Sequence, residues 1–166
     1  MAVVRIVRKY QFAASHRLHA PSLGAARNRE IYGKCNNPYG HGHDYELEVA
    51  VTGEPDPLTG RLAPLGRLDE VVKRAILEAM DRRDLNSEVE EFASMVPTTE
   101  NLTRVVAARL TRAWPAEWTE RVRLARVRIH ETGRNIFEIE VATGAFEVEA
   151  TVGALSLRSE SGINKG

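Results

Sequence analysis

The sequence predicts an α+β fold: an antiparallel sheet of four strands with two helices on one face. Three observations carry that prediction. Four segments alternate apolar and polar residues with period two, a pair early in the chain and a pair around residue 130. Two segments between those pairs repeat apolar residues at helical spacing. Turn-forming Gly, Pro and Asn residues separate the segments, so the order reads ββααββ, which a two-layer packing satisfies.

The first strand runs from Val4 to His16. Its even positions, Val4, Ile6, Tyr10, Phe12 and Ala14, form an apolar face interrupted at Arg8, and His16 ends that face. His19 lies beyond it and reads as a loop residue. Residues Pro21 to Gly33 are polar and show no period, which predicts irregular chain. The Gly/Asn/Pro loop from Gly33 to Gly40 then opens into a second strand, His41 to about Thr52. Tyr45, Leu47, Val49 and Val51 share one face and Glu46 and Glu48 the other. Gly53 to Gly60 holds two prolines, two glycines and an Asp and reads as a turn.

Leu68, Val71, Val72, Ala75, Ile76 and Ala79 mark an amphipathic helix from about Gly66 to Met80, with a charged exit at Asp81 to Asn86. Thr98, Thr99 and Glu100 give an N-terminal signal for a second helix, since a Thr cap and an early acid satisfy the free amides there. Leu102, Val105, Val106, Leu110 and Ala113, with the stem of Arg109, supply its stripe. Trp114-Pro115 stops it. The third strand, Val122 to Thr132, carries Ala125, Val127 and Ile129 inward and continues that face to Glu131, leaving His130 on the other side. The fourth, Asn135 to Val141, carries Phe137, Ile139 and Val141. A single domain over residues 1–141 follows, with 142–166 as an extension: one possible strand, then a loose tail.

The 166 residues fit one domain, and 23 basic residues against 23 acidic leave no net charge. That balance argues against a general nucleic-acid binder, and the Arg121–Arg128 segment reads as a solvated strand face. One cysteine excludes an internal disulfide and suits a reducing compartment. No apolar run approaches the ~20 residues of a membrane helix, and the N-terminus reads as a strand, so a cytoplasmic protein without membrane attachment is expected.

The chemistry concentrates at one strand end. His41 and His43 share the Tyr45 face, roughly 7 Å apart along the strand, and His16 ends the inward face of the first strand. One histidine on an apolar face is ordinarily a hydrogen-bonded core residue. Three converging imidazoles are costly to leave unpaired and match the open, three-ligand form of a zinc site. Cys35 sits six residues before His41 in a flexible loop. As a fourth ligand, as a base or nucleophile, or as an inert thiol, it fits the pattern equally well. Asp81, at the helix exit, is a possible partner for it. Glu131 suits bidentate recognition of an N–H-rich heterocycle, against the plainer reading of a solvated strand-end carboxylate. For Thr98-Thr99-Glu100 the plain reading is capping alone.

Ser15-His16-Arg17-Leu18-His19, Gly33-Lys34-Cys35-Asn36-Asn37-Pro38-Tyr39-Gly40-His41-Gly42-His43, Pro97-Thr98-Thr99-Glu100-Asn101 and Glu131-Thr132 together resemble the 6-pyruvoyltetrahydropterin synthase family. The related 6-carboxytetrahydropterin synthases of queuosine biosynthesis belong to the same resemblance, which spans roughly residues 3–141. The Cys-to-His spacing is closer to the pyruvoyl branch. The resemblance implies a tunnelling fold, with subunits joined in trimers into a barrel and two trimers forming a homohexamer. It implies Zn2+ on His16, His41 and His43, Cys35 as the proton-abstracting base, Glu131 on the pterin ring, and Thr99 and Glu100 near it. The implied substrate is 7,8-dihydroneopterin triphosphate, whose side-chain hydroxyls would meet the zinc; triphosphate loss or side-chain cleavage would follow.

One position departs from the pattern. Where the family usually has Asp-His after the first helix, this chain has Asp81-Arg82. A guanidinium stays protonated and cannot relay protons as imidazole does. It would act instead as a fixed cation toward the thiolate or the substrate phosphates, or the reaction would be slow or lost. Two alternatives stand beside the synthase reading: a paralogue cleaving the side chain by retro-aldol chemistry, and a non-catalytic pterin-binding zinc oligomer. The presence of both Cys35 and Glu131 counts against the second.

Overall fold

The structure is a computed structural model that describes residues 3–118 and 121–141. The strand and tail expected within 142–166 lie outside the described residues. Strand β1 (Val4–His16) pairs antiparallel with β2 (His41–Gly53), β2 with β4 (Val122–His130), and β4 with β5 (Ile136–Glu140). The β1–β2 register sets His16 opposite His41 and Ala14 opposite His43, so the period-two pattern alone brings the three imidazoles to one end of one face.

That face is the core. Leu47, Val49, Val51, Val127 and Ile129 are buried against Leu68, Val72 and Ile76 of the first long helix and Leu102, Val106 and Leu110 of the second. Each such side chain contributes about 1.5–3 kcal/mol through removal from water. The opposite face is a ladder of charges. Glu48 is nearly buried there between Arg126, Arg128, Lys9 and His130, and Arg128 also binds Glu138. Arg126 and Arg128 of this strand are therefore paired within their own sheet, where the sequence reading had a solvated face.

Four features depart from the sequence reading. The sheet has five strands and is mixed, because a two-residue β3 (Arg83–Asp84) pairs parallel with β1 at Ala14 and Ser15. Hydrogen bonds draw the helix exit onto this edge: Asp81 Oδ1 accepts from the Ala13 N–H at 2.9 Å, and the Arg82 N–H donates to Ala13 O at 2.6 Å. Second, the stretch read as irregular contains a helix, Ala25–Tyr32. Its buried residue is Asn28, whose amide binds the carbonyls of Ala20, Leu23 and Gly24, so no apolar period announces it. Third, the charged exit after Met80 continues into a short helix, Leu85–Glu88, capped by Asp84. Fourth, the pairing shifts between Ala50 and Val51, where Leu124 and Arg126 follow each other across one step of β2. This bulge puts Val122 and Leu124 inward before the odd-numbered phase of Val127 and Ile129 takes over.

The first long helix runs from Leu65 through a π-helical turn at Lys73–Leu77 to Met80. The second, Thr99–Arg112, begins on Thr98, whose hydroxyl accepts from the Asn101 N–H. The Arg109 stem joins its stripe as read, while the guanidinium forms a bidentate pair with Glu91 at 2.6–2.7 Å. Among the described residues no helix is long and apolar enough to cross a membrane. Among the described residues, no further strand pairs with the outer edge of β5 or with most of that of β1.

Candidate active site

The three histidines meet where β1 and β2 end. Their ligand nitrogens all lie within 4.8 Å of one another. His16 Nε2 is 3.1 Å from His41 Nε2, and the three rings stand edge to face with centroids 4.6–5.1 Å apart. His16 is buried, and its Nδ1 hydrogen-bonds Pro97 O at 2.8 Å, which fixes the proton on Nδ1 and leaves Nε2 with its lone pair toward the cluster. His43 Nε2 is buried with no hydrogen-bond partner; its nearest carboxylate oxygen, on Glu131, is 3.9 Å away. Burial holds both His16 and His43 below the ordinary imidazole value, against the opposing pull of Pro97 O on one and Glu131 on the other. Nitrogens kept unprotonated, clustered and short of donors suit a metal ion better than a hydrogen-bond network.

Glu131 follows β4 directly and reaches the same inner surface. Its Oε1 accepts a short hydrogen bond from the Thr99 hydroxyl, and its Oε2 is 3.4 Å from Asn135 Nδ2. Thr99, in the first turn of the second helix, is buried; the adjacent Glu100 is exposed. Thr99 therefore binds Glu131 in addition to opening the helix. Cys35 lies half-exposed in the turn Gly33–Asn36, held by the Leu18 N–H on its carbonyl at 2.8 Å. Burial pushes its thiol up, and the Glu131 carboxylate adds to that. The Glu131 carboxylate acts electrostatically on Cys35, His16 and His43 alike.

Asp81 is not brought to this cluster within the chain. It is exposed on the β1 edge, with Ala13 N–H on one oxygen and Arg82 Nε 4.0 Å from the other. Arg82 has a left-handed backbone, φ 59°, and a side chain 89% exposed. His130 faces away, 3.1 Å from Glu48, as its strand phase requires. Sequence reasoning missed two supports: the Pro97 carbonyl behind His16, which no residue pattern marks, and Asn36, whose carbonyl and amide tie Arg17, Leu18 and His19 to the cysteine turn.

Gly40 is the tight point of the loop. Its φ is 68°, and a Cβ there would lie 2.9 Å from His16 O. Gly40→Ala is expected to displace His41 or His16 and weaken metal binding at the cluster about tenfold or more, read with added zinc by competition with a chromogenic chelator. Wild-type affinity in that variant would remove Gly40 from the support of the cluster.

Comparisons with known proteins converge on one family. The family model described as "6-pyruvoyl tetrahydropterin synthase" matches residues 5–142. The 6-pyruvoyl tetrahydrobiopterin synthase of Poecilia reticulata is 43% identical over 131 residues, covering 79% of this chain and 86% of the relative. The Homo sapiens protein of the same name is 38% identical over 132 residues, covering 80% and 88%. A structure of Caenorhabditis elegans 6-pyruvoyl tetrahydropterin synthase superposes with a TM-score of 0.79 at 36% identity, over 86% of this chain and 98% of that one.

Proposed function

The chain belongs to the 6-pyruvoyl tetrahydropterin synthase family, and from that premise we propose that it converts 7,8-dihydroneopterin triphosphate to 6-pyruvoyltetrahydropterin with loss of triphosphate. The observation that carries this reading is the arrangement of His16, His41 and His43 beside Glu131, Thr99 and Cys35. The names of the similar proteins favour the pyruvoyl product over 6-carboxytetrahydropterin or a retro-aldol product.

In this reading His16, His41 and His43 hold Zn2+, and the orphaned His43 Nε2 is the donor that most needs it. Zinc when bound supplies a Lewis acid for the hydroxyls of the substrate side chain. Glu131, fixed by Thr99 and flanked by Asn135, accepts N–H groups of the pterin ring and sets its orientation. Cys35, as thiolate, takes a proton from the side-chain carbon next to the ring. The conversion is an internal redox change with triphosphate as leaving group, so the ring gains the electrons that the side chain gives up. Glu100 stands at the rim of the pterin site.

Asp81 is assigned to proton traffic with a Cys35 thiol. Since its carboxylate sits on the open β1 edge, it serves a thiol of an adjacent copy. A homohexamer built as a dimer of trimers, closing the sheets into a barrel, would cover the β1 and β5 edges as well. Arg82 acts there as a fixed cation. The place of action is the cytoplasm.

The test is to incubate zinc-loaded protein with 7,8-dihydroneopterin triphosphate and identify products by mass spectrometry. Stoichiometric triphosphate and 6-pyruvoyltetrahydropterin are expected. A carboxylated or retro-aldol pterin, or no turnover by wild type, would overturn the assignment.

A further inference from the structure

A groove of about 540 Å3 has in its lining Gly40, which precedes His41, and Pro97, whose carbonyl holds His16. Arg17 and His19 line it, together with Ser22, Ser94, Asn86 and Asp84. Arg17 is built in with care. Its backbone N–H donates to Asn86 Oδ1 at 2.7 Å, and its carbonyl accepts from Asn86 Nδ2 at 3.0 Å. Its Nε donates to Asn36 O at 3.2 Å. Among the described residues no carboxylate forms an ion pair with its guanidinium, whereas the arginines at 8, 109, 126 and 128 all have one. Two of these bonds hold the Arg17 backbone and one holds its Nε, and its two terminal nitrogens have no anionic partner among the described residues.

His19 presents a donor to the same space. Asn36 Nδ2 donates to Leu18 O at 2.8 Å, which fixes the orientation of that amide because a carbonyl only accepts. The same Nδ2 lies 3.0 Å from His19 Nδ1, so Nδ1 is the acceptor and the ring proton sits on Nε2. The carboxylate on the groove is already engaged: Asp84 takes the Ser15 hydroxyl on one oxygen and the Ser87 N–H and hydroxyl on the other. Asp84 brings one carboxylate, turned toward Ser15 and Ser87; beside it the groove gathers the Arg17 guanidinium, an imidazole N–H and two serine hydroxyls, a donor-rich lining of the kind that receives phosphate oxygens.

We infer that this groove is a phosphate subsite, with Arg17 as its anchoring cation and His19 as its second donor. The inference rests on the proposed substrate for the source of the phosphate: either the triphosphate tail of the bound pterin or the free triphosphate released from it. Asn36 links the subsite to Cys35, because it binds both Arg17 and His19 and is the next residue after the thiol.

Isothermal titration with inorganic tripolyphosphate tests the subsite without turnover. Wild-type protein binds it, and Arg17→Gln weakens binding about tenfold or more, the expected loss of a charge-assisted contact. His19→Ala, which leaves Arg17 and its clamps in place, weakens it by a smaller factor. Equal binding by wild type and Arg17→Gln, or no binding by the folded wild type, would overturn the subsite. Steady-state kinetics then separates the sources. A raised KM for the triphosphate substrate in Arg17→Gln, with unchanged affinity for dihydroneopterin lacking phosphates, assigns the groove to the substrate's tail. An unchanged KM alongside lost tripolyphosphate binding assigns it to the free anion. If wild type binds tripolyphosphate through Arg17 yet turns over no pterin, the subsite stands and the proposed reaction falls.

Discussion

His16→Ala protein is expected to purify without zinc and without synthase activity, while still folding around its sheet. The side chain is buried at the centre of the constellation, and it does two jobs. Its Nε2 faces His41 Nε2 at 3.1 Å, and its Nδ1 holds Pro97 O at 2.8 Å, one residue before the cap of the second long helix. Loss of an outer partner of a metal ligand ordinarily costs 10–100-fold in affinity; loss of the ligand itself will exceed that. Elemental analysis after dialysis against free zinc reads the first effect directly. Thermal unfolding gives an independent measure: zinc raises the wild-type melting temperature by mass action and leaves that of the variant where it was. Metal-free wild type should also lose stability on acidification. His16 and His43 are held below the ordinary imidazole value of 6.5 in the fold. Below pH 6.5 the unfolded chain therefore takes up protons that the folded one resists, and the stability present above that pH is lost as pH falls toward the depressed values. Full zinc retention by His16→Ala would remove His16 from the metal site.

The histidine cluster was legible in the sequence because strand geometry has period two, and three histidines fell in phase with the apolar faces of two strands. Glu131 was legible for the same reason, as the next in-phase residue after Ile129. That reasoning worked near the site only because the bulge lies further along. Between Val51 and Leu124 the register slips, and an alternation read from Val122 forward assigns Ala125 correctly while missing Val122 and Leu124. The helix Ala25–Tyr32 could not be read from hydrophobic periodicity, because it is held by the polar contacts of a buried asparagine. The β3 strand was equally silent: two charged residues carry no pattern, and backbone and carboxylate hydrogen bonds at Ala13 draw them to the edge. Polar side chains binding backbone at long range are what single-sequence patterns cannot show. Asn36 and Asn86 are the two such residues that shape the surroundings of the site.

Cys35→Ala is expected to lower kcat by about 10²–10⁴-fold, the usual contribution of a positioned proton-transfer group, with zinc content unchanged. Cys35 is half-exposed at the cysteine turn and its tie to Leu18 runs through its backbone carbonyl, so the variant should fold. Retention of zinc with loss of rate separates a base or nucleophile from a fourth ligand and from an inert thiol, the three readings that spacing alone left open. The thiol's own titration sharpens the distinction. In metal-free protein, burial and the Glu131 carboxylate both push it above its ordinary 9.0. Glu131→Gln removes the negative charge and should bring the thiol back down, read as faster reaction with a thiol reagent at a fixed pH. Zinc at the histidine cluster acts in the same direction on wild type, since a nearby cation favours thiolate. Zinc-loaded wild type is therefore expected to react with the thiol reagent faster than the metal-free protein at the same pH. A Cys35→Ala enzyme within tenfold of wild-type kcat would show that the proton leaves by another route.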